Sequence, residues 1–190
     1  MSKVVVFISM SLDGFIAGPN PSPQNPLGDN GLILHDWFFK SHHKDSPFRN
    51  AIEDNGAVIM GRVMYEESLP YWHGSGPLGK TPCFVLTEKG TEPKNAAPMF
   101  TFVSEGIESA LAQAKEAAND KNVFINGGAH TIQQFVKAKL IDELTIHVVP
   151  ILLGGGTSLF GSLGEYIELE KQAAKDEKDV THLRYSLPKM

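Results

Sequence analysis

The sequence predicts an α/β fold: a mostly parallel central sheet with helices on both faces and a C-terminal antiparallel hairpin. Residues 3–9 form an apolar run, which is typical of a central strand covered on both faces. Strand-like and helix-like segments then alternate along the chain, as connections between parallel strands require. Within residues 122–133, an apolar β-forming run passes through Gly127 and Gly128 into a helical pattern.

The remaining elements follow from apolar periodicity and from Gly and Pro positions. Further strands are predicted at residues 57–60, 83–87, 99–103, 122–126 and 141–149. Helices are predicted at residues 34–53 with Pro47 as a break, from Arg62 to just before Pro70, at 105–119 with Ser104 as N-cap, and at 129–139. Residues 13–29, rich in Gly and Pro, have the length of a binding loop or lid. Two β-rich runs, 165–173 and 179–187, predict the terminal hairpin.

The bulk properties indicate one globular domain spanning residues 1–190. A net charge of −5 without a basic stripe argues against nucleic-acid binding. The one cysteine, Cys83, excludes an internal disulfide, and its strand-like surroundings favour a buried apolar role. The N-terminal apolar run is too short for a signal peptide or a membrane span, so we expect a cytoplasmic protein without a membrane partner.

The Gly127-Gly128 turn is a candidate phosphate site. A strand that turns on two glycines into a helix presents free backbone N–H groups at the positive end of the helix dipole. Glycine has no Cβ, and an anionic ligand can therefore approach the backbone closely. The same pattern also occurs as plain punctuation between a strand and a helix, so the turn alone does not establish a site.

Three other loops are expected at the same edge of the sheet, because ligands of such sheets bind at the carboxyl ends of the strands. Arg62 offers a planar fork suited to phosphate oxygens, and Thr87 and Lys89 add a hydroxyl and a second positive charge. Taken singly, Arg62 and Lys89 are typical of a solvated surface. Their convergence predicts a ligand with several phosphates, hence a nucleotide cofactor. The four loops are Ser9–Gly18, Gly61–Glu66, Thr87–Lys89 and Asn126–Thr131.

Familiar hydrolytic and metal motifs are missing from the sequence. Of the seven histidines, only His42 and His43 are close in sequence, and adjacent helical positions point to different sides, so no metal is expected. A protein that binds a nucleotide without hydrolytic machinery is a candidate for hydride transfer, in which the cofactor carries the chemistry.

Four motifs in order resemble the dihydrofolate reductase superfamily. The resemblance is closer to the reductase domain of the bifunctional riboflavin-biosynthesis deaminase–reductase and to its stand-alone relatives. It spans nearly the whole chain and implies a dihydrofolate-reductase-like fold, a reduced nicotinamide cofactor, usually NADPH, and often a homodimer. The motifs are Ser11-Leu12-Asp13-Gly14-Phe15-Ile16-Ala17, Val58-Ile59-Met60-Gly61-Arg62 with Tyr65-Glu66, Ile125-Asn126-Gly127-Gly128-Ala129, and Pro150 with Gly154-Gly155-Gly156.

The resemblance also implies roles for single residues. The backbone contacts to the nicotinamide would come from Ile8, Ser9, Ile16 and Ala17. The phosphate contacts would come from Gly61 and Arg62, the adenosine ribose contact from Thr87, and the pyrophosphate loop from Asn126, Gly127, Gly128, Ala129 and His130. Asp13 matches a position at the mouth shared by substrate and nicotinamide, although an Asp before Gly14 is also a common turn former.

Several departures from the family pattern leave alternatives open. Met64 stands where the family commonly has Thr, and Glu88 would repel a ribose 2′-phosphate, so NADH remains open beside NADPH. Asp36 precedes Trp37 directly, which argues against folate reduction, and the zinc-deaminase signature is absent, which excludes deamination.

The leading hypothesis is an NAD(P)H-dependent reductase of a pterin- or aminopyrimidine-like substrate, of which 5-amino-6-(5-phosphoribosylamino)uracil is an example. Asp13, Asp36 and His147 are the candidate catalytic residues, the last two as proton donors, although a histidine in mid-strand is more often a packed one. The alternatives are a non-catalytic nicotinamide-nucleotide-binding module, a dihydrofolate reductase, or a purely structural protein.

Overall fold

The structure is a computed structural model that describes residues 2–40, 51–161 and 163–188. The predicted helix break at Pro47 and the His42-His43 pair lie outside the described residues. Within the described part of the chain, no helix is both long and apolar enough to cross a bilayer. No three His, Cys, Asp or Glu side chains of that part lie close enough together to hold a metal ion.

In the described part of the chain, ten strands form an eight-stranded sheet and a two-stranded one. The large sheet has the order β5-β4-β3-β6-β1-β7-β10-β9, and the small one pairs β2 with β8. In chain order the strands are β1 (Val4–Ser11), β2 (Phe15–Ala17), β3 (Asn55–Gly61), β4 (Cys83–Leu86), β5 (Phe100–Val103), β6 (Asn122–Ile125), β7 (Glu143–Val149), β8 (Thr157–Ser158), β9 (Glu170–Glu177) and β10 (Val180–Ser186).

The pairing confirms the predicted architecture. The first six strands in the spatial order, from β5 to β7, pair in parallel. The last two, β10 and β9, are antiparallel and form the terminal hairpin. The parallel strands that were predicted at residues 57–60, 83–87 and 99–103 match β3, β4 and β5 to within two residues. These strands could be predicted from continuous apolar runs, because both of their faces are covered and buried.

Helices cover both faces of the large sheet, as predicted. On one face, Ala110 and Ala114 pack in the same buried cluster as Ile132 and Phe135. On the other face, Tyr65 packs beside Val5, Val58 and Val85 of the strands. A smaller cluster places Leu34 and Trp37 against Val149 and Val180. The helices of the described residues include α1 (Asp36–Lys40), α2 (Arg62–Ser68), α3 (Ile107–Ala118) and α4 (Ala129–Lys137), with 3₁₀ turns at Gly31–His35 and Leu69–Tyr71.

The predicted N-cap of α3 was wrong. The helix begins at Ile107, with Gly106 as N-cap at a φ of +91° and without a side-chain capping hydrogen bond. The Ser104 hydroxyl donates instead to the carboxylate of its neighbour Glu105 at 3.1 Å. The left-handed backbone of Gly106 turns the chain into the helix, a conformation in which glycine avoids the penalty of a Cβ.

The first strand of the terminal hairpin begins later than predicted. The apolar content of residues 165–173 placed it too early, whereas β9 runs from Glu170 to Glu177. Most of its side chains are exposed, because β9 lies at the sheet edge and is paired with β10 alone. An exposed edge strand tolerates charged residues on both faces and therefore lacks the apolar alternation on which the prediction rested.

The burial of Cys83 agrees with its predicted packing role. The side chain is 1% exposed and lies in the cluster with Val58 and Val85. Burial raises the pKa of its thiol to about 12, so the thiolate needed for nucleophilic chemistry does not form at neutral pH.

Candidate active site

A cleft of about 1000 Å³ opens at the carboxyl edge of the sheet. The strands β1, β3, β4 and β6 end there, and the loops after them supply most of its lining. Ile8 and Ala17 line it from the β1–β2 side, Gly61 ends β3, Thr87 follows β4, and Gly128 lies in the turn after β6. The four loops predicted to converge are therefore brought together, because the ends of parallel strands meet at one edge.

The turn between β6 and α4 leaves open space in front of its backbone. Gly127 has a φ of +88°, Gly128 is the N-cap of α4 without a side-chain cap, and the peptide between them is cis. A Cβ built on Gly127 or Gly128 would meet no protein atom within 4 Å. Both glycines line the cleft, next to the positive end of a nine-residue helix. This geometry fits an anionic group of a ligand.

The turn between β3 and α2 lies directly beside that helix. A Cβ on Gly61 would lie 2.7 Å from Oγ1 of Thr131, which is closer than side chains approach. The backbone N–H of Gly61 also donates to the carbonyl of Gly127 at 3.4 Å. Glycine at position 61 thus lets the two phosphate-type turns share one wall of the cleft.

Arg62 begins α2 and is held by acceptors of the protein itself. Its Nε donates to Oε1 of Glu66 at 2.6 Å, and Nη1 donates to Oγ1 of Thr87 at 3.2 Å and to the carbonyl of Thr91 at 2.7 Å. The guanidinium also lies 5.8 Å from the ring centre of Phe102. Arg62 and Thr87, which the sequence placed on separate loops, are therefore joined at one end of the cleft.

Asp13 connects the loop after β1 to the loop after β7. Its Oδ1 accepts hydrogen bonds from the Ser11 hydroxyl at 2.6 Å and from the backbone N–H of Leu153 at 3.1 Å, and Oδ2 accepts from the N–H of Gly154 at 2.8 Å. The Ser11 hydrogen bond, helped by the two amides, holds the pKa of this exposed carboxyl below its usual value. The connected residues lie shortly before the paired strands β2 and β8, whose Ile16, Ala17 and Thr157 line the cleft.

The described geometry can be compared with known proteins. The RibD C-terminal domain family matches residues 2–181, which is nearly the whole chain. The chain belongs to the RibD C-terminal domain family. The motifs that suggested the resemblance thus identified the family correctly, and the cleft described above is that of a RibD C-terminal domain.

Individual relatives of this RibD C-terminal domain have the same extent. The uncharacterized protein YwjB of Bacillus subtilis is 29% identical over 184 residues, covering 96% of this chain and 97% of YwjB. A putative riboflavin biosynthesis protein from Shewanella is 28% identical, with a TM-score of 0.76 and coverage of 98% and 99%. A dihydrofolate reductase from Enterococcus faecalis, solved with NADP(H), has 19% identity, a TM-score of 0.63 and coverage of 98% and 97%, which confirms the predicted dihydrofolate-reductase-like fold.

Most of the predicted cofactor-binding residues line the cleft of this family member. Two do not. Ser9 is buried on the opposite side of β1, where its Oγ accepts a 3.0 Å hydrogen bond from Nε1 of Trp37, and Lys89 is exposed outside the lining. Those that line it are Ile8, Ile16, Ala17, Gly61, Arg62, Thr87, Asn126, Gly127, Gly128, Ala129 and His130.

The three predicted catalytic residues lie outside the lining of this cleft. Asp13 makes the loop connection described above. His147 is buried in β7, with its Nδ1 2.7 Å from Nδ1 of His182 and its ring 4.6 Å from that of Trp37. Burial lowers the pKa of His147 to about 3. Asp36 begins α1 directly after His35, which lines the cleft.

Several polar residues of the cleft were not predicted from the sequence. Thr131 and Gln134 follow Gly128 by three and six positions, so the period of α4 could have placed them beside the turn. Glu66 is four residues after Arg62, the spacing of a helical ion pair. His35 carried no local signal, because only the tertiary contact of its 3₁₀ turn brings it to the cleft. Glu66 and Thr131 lie in loops that were predicted at this edge, but neither was named as a site residue. The lining residues that were not named for the cleft are His35, Glu66, Glu67, Thr91, Ser104, Thr131, Gln134 and Thr157.

Proposed function

We propose that this protein is an oxidoreductase that uses a reduced nicotinamide adenine dinucleotide to reduce a small heterocycle of the aminopyrimidine or pterin class. The observation that carries the proposal is the Gly127-Gly128 turn, whose open backbone lies at the N-terminus of α4 in a cleft of about 1000 Å³. Membership of the RibD C-terminal domain family supports it, as does the fold shared with a reductase solved with NADP(H).

Different residues of the chain would bind different parts of the cofactor. The Gly127-Gly128 turn would hold the pyrophosphate, because its free N–H groups and the helix dipole attract an anion. Arg62 and Thr87 would hold the adenosine end, and Ile8, Ile16 and Ala17 would form the nicotinamide wall. When bound, a reduced nicotinamide supplies a hydride. The protein contributes orientation, which brings the reacting groups together and lowers the entropic cost of the step.

A proton source must accompany hydride addition to a C=N or C=O bond, and Asp36 is our preferred candidate among the three predicted residues. Asp13 is a poor acid, because three hydrogen bonds favour its ionised form. His147 is a poor acid because its low pKa keeps the imidazole neutral at physiological pH. Asp36 begins α1 next to the cleft residue His35.

The relatives suggest two classes of substrate. The riboflavin-biosynthesis likeness favours an aminopyrimidine such as 5-amino-6-(5-phosphoribosylamino)uracil, and the dihydrofolate reductase fold favours a pterin. A cytoplasmic location and a homodimer remain predictions, the second of which light scattering of the purified protein would check.

Thermal unfolding with and without nicotinamide nucleotides tests the proposal. A ligand at about 100 times its Kd stabilises the folded state by about 2.7 kcal/mol, so NADH or NADPH should raise the Tm by several degrees. Gly128→Val should keep its unliganded Tm and lose the shift, since the new side chain would fill the cradle. Gly155→Val is the matched control, because a Cβ there also meets nothing but lies outside the cleft lining.

An equal shift in Gly128→Val would place the nucleotide elsewhere, and no shift in the wild type with either nucleotide would contradict the proposal. Catalysis is then followed as loss of nicotinamide absorbance with a panel of aminopyrimidines and pterins. Binding without oxidation of the nicotinamide by any of them would favour the alternative of a non-catalytic binding module.

A further inference from the structure

The charged residues of the cleft are unevenly distributed. Among the lining residues that the structure describes, Arg62 is the only one that is always cationic, whereas Glu66, Glu67 and Glu88 are carboxylates. Arg62 and Glu88 lie near each other in the cleft. The Arg62 guanidinium donates a hydrogen bond to Thr87, and Glu88 is the residue after Thr87. This end of the cleft therefore carries more acidic than basic side chains.

The charge of Arg62 is already engaged. Its Nε–H and both Nη1–H groups, three of the five donors of a guanidinium, are directed at Glu66, Thr87 and Thr91. The Glu66 carboxylate lies 2.6 Å away and offsets the positive charge. An incoming phosphate would have to compete with these acceptors for the fork.

The positive charge of Lys89 is not part of the cleft lining. It is exposed and lies outside the lining of the cleft. Its charge acts on Glu92, where backbone hydrogen bonds, with smaller contributions from Arg62 and Lys89, lower the pKa of the carboxyl. The Lys89 ammonium therefore lies outside the cleft lining that contains Glu88.

A ribose hydroxyl and a ribose phosphate respond to such an environment in opposite ways. A carboxylate accepts a hydrogen bond from the 2′-hydroxyl of an adenosine ribose, whereas a 2′-phosphate is accommodated by an arginine fork. A phosphate monoester carries a charge of about −1.5 to −2 at neutral pH and is repelled by neighbouring carboxylates.

We propose that Glu88, together with the Glu66-engaged Arg62, makes this cleft selective for NADH over NADPH. The inference rests on the proposed function, since it requires a nicotinamide nucleotide in the cleft with its adenosine ribose at the Arg62 end. The pyrophosphate contacts at the Gly127-Gly128 turn are common to both nucleotides, so the discrimination arises at the ribose.

Calorimetric titration of the full chain with NADH and with NADPH tests this selectivity. We expect NADH to bind at least about tenfold more tightly at low ionic strength, and the ratio to shrink as salt screens the carboxylates. Glu88→Gln keeps the size and an acceptor oxygen but removes the charge, so it should tighten NADPH and reduce the ratio at least about fivefold. Glu116→Gln, an exposed position on α3 outside the cleft, should leave the ratio unchanged.

The outcomes separate this inference from the proposed function. If both nucleotides bind with equal affinity, or NADPH binds more tightly, the selectivity is refuted while the cofactor site stands. An unchanged ratio in Glu88→Gln refutes the role of Glu88. If neither nucleotide binds, the proposed function and the selectivity fail together.

Discussion

His147 and His182 face each other across neighbouring antiparallel strands, with their Nδ1 atoms 2.7 Å apart. Both rings are buried, and Nε2 of His182 lies 3.6 Å from a carboxylate oxygen of Glu177. Two neutral imidazoles share one proton between facing nitrogens, so one ring donates and the other accepts. The Glu177 carboxylate favours a proton on Nε2 of His182, which makes His147 the Nδ1 donor.

We expect this pair to make the protein less stable in mild acid. Burial lowers the pKa of His147 to about 3, and it also lowers the pKa of His182 against the opposing effect of Glu177. In the unfolded chain these two histidines take up protons near the ordinary histidine pKa of about 6.5, whereas in the folded protein their pKa values are lower. The contribution to stability is therefore complete above about pH 6.5 and is lost progressively as the pH falls below it.

Denaturant unfolding at about pH 7.5 and about pH 5.5 measures this loss. For His147 alone the free energy of unfolding should fall by on the order of 1 kcal/mol between the two. In His147→Asn the free energy of unfolding should fall less between these two pH values, because asparagine does not titrate. His73→Asn is the control, since His73 is exposed at a φ of +49° that asparagine adopts readily. The same acid-induced loss in the wild type and both variants would contradict the assignment.

The hydrogen bond between Trp37 and Ser9 gives a second prediction. Nε1 of Trp37 donates to Oγ of Ser9 at 3.0 Å, and both side chains are buried. Trp37→Phe should cost about 1–3 kcal/mol, because it removes the donor from a buried hydroxyl. The double variant Trp37→Phe, Ser9→Ala should cost about 1 kcal/mol less than the sum of the two single variants, measured by denaturant unfolding. Strict additivity would show that the hydrogen bond contributes nothing.

The sequence predicts the cleft better than it predicts the side chains around it. Loop convergence follows from topology alone, because parallel strands end at one edge, and so Gly61, Arg62 and Thr87 line the same cleft as Gly128. The backbone contact predicted for Ser9 stays a prediction, because the direction of its side chain does not test a contact made by the main chain. Neighbouring residues of a strand face opposite ways, so Ile8 faces the cleft and Ser9 faces Trp37.

The contacts that could not be predicted from the sequence join residues far apart in the chain. The Asp13 connection joins residues 140 and 141 positions apart, and the His147–His182 pair depends on the register between β7 and β10. Neither leaves a periodic signal in the local sequence. Lys89 was expected in the cleft because a positive charge near a phosphate is plausible chemistry, but the turn after β4 leaves it exposed.

The third prediction concerns the Asp13 connection. Asp13→Asn should accelerate amide hydrogen exchange at Leu153 and Gly154, because the amide side chain offers one acceptor oxygen where the carboxylate offers two. The pKa of Asp13 is lowered in the folded state, so the connection is complete above the ordinary Asp pKa of about 3.9 and weakens as the pH falls. Asp120→Asn, at an exposed position beyond α3, should leave both exchange rates unchanged. Unaltered exchange in Asp13→Asn would rule out the connection in solution.

The last prediction tests the close approach of the Gly156 backbone to Ala17, the last residue of β2. Gly156 has a φ of +118°, and a Cβ there would overlap the carbonyl oxygen of Ala17. Gly156→Ala should lower the free energy of unfolding by about 2–5 kcal/mol, since a left-handed backbone costs about 1–2 and overpacking about 1–3 kcal/mol. It should also weaken nucleotide binding, because Ala17 and Thr157 line the cleft.

Gly155→Ala is the neighbouring control, because its Cβ would meet no atom within 4 Å and its φ is not in the left-handed region. Its stability should stay within about 0.5 kcal/mol of the wild type, as at an unconstrained surface site. The two variants add the same methyl group one residue apart, so a difference in stability and in nucleotide affinity reports the contact with Ala17. If both variants behaved alike, the β2–β8 pair would not hold this wall of the cleft in place.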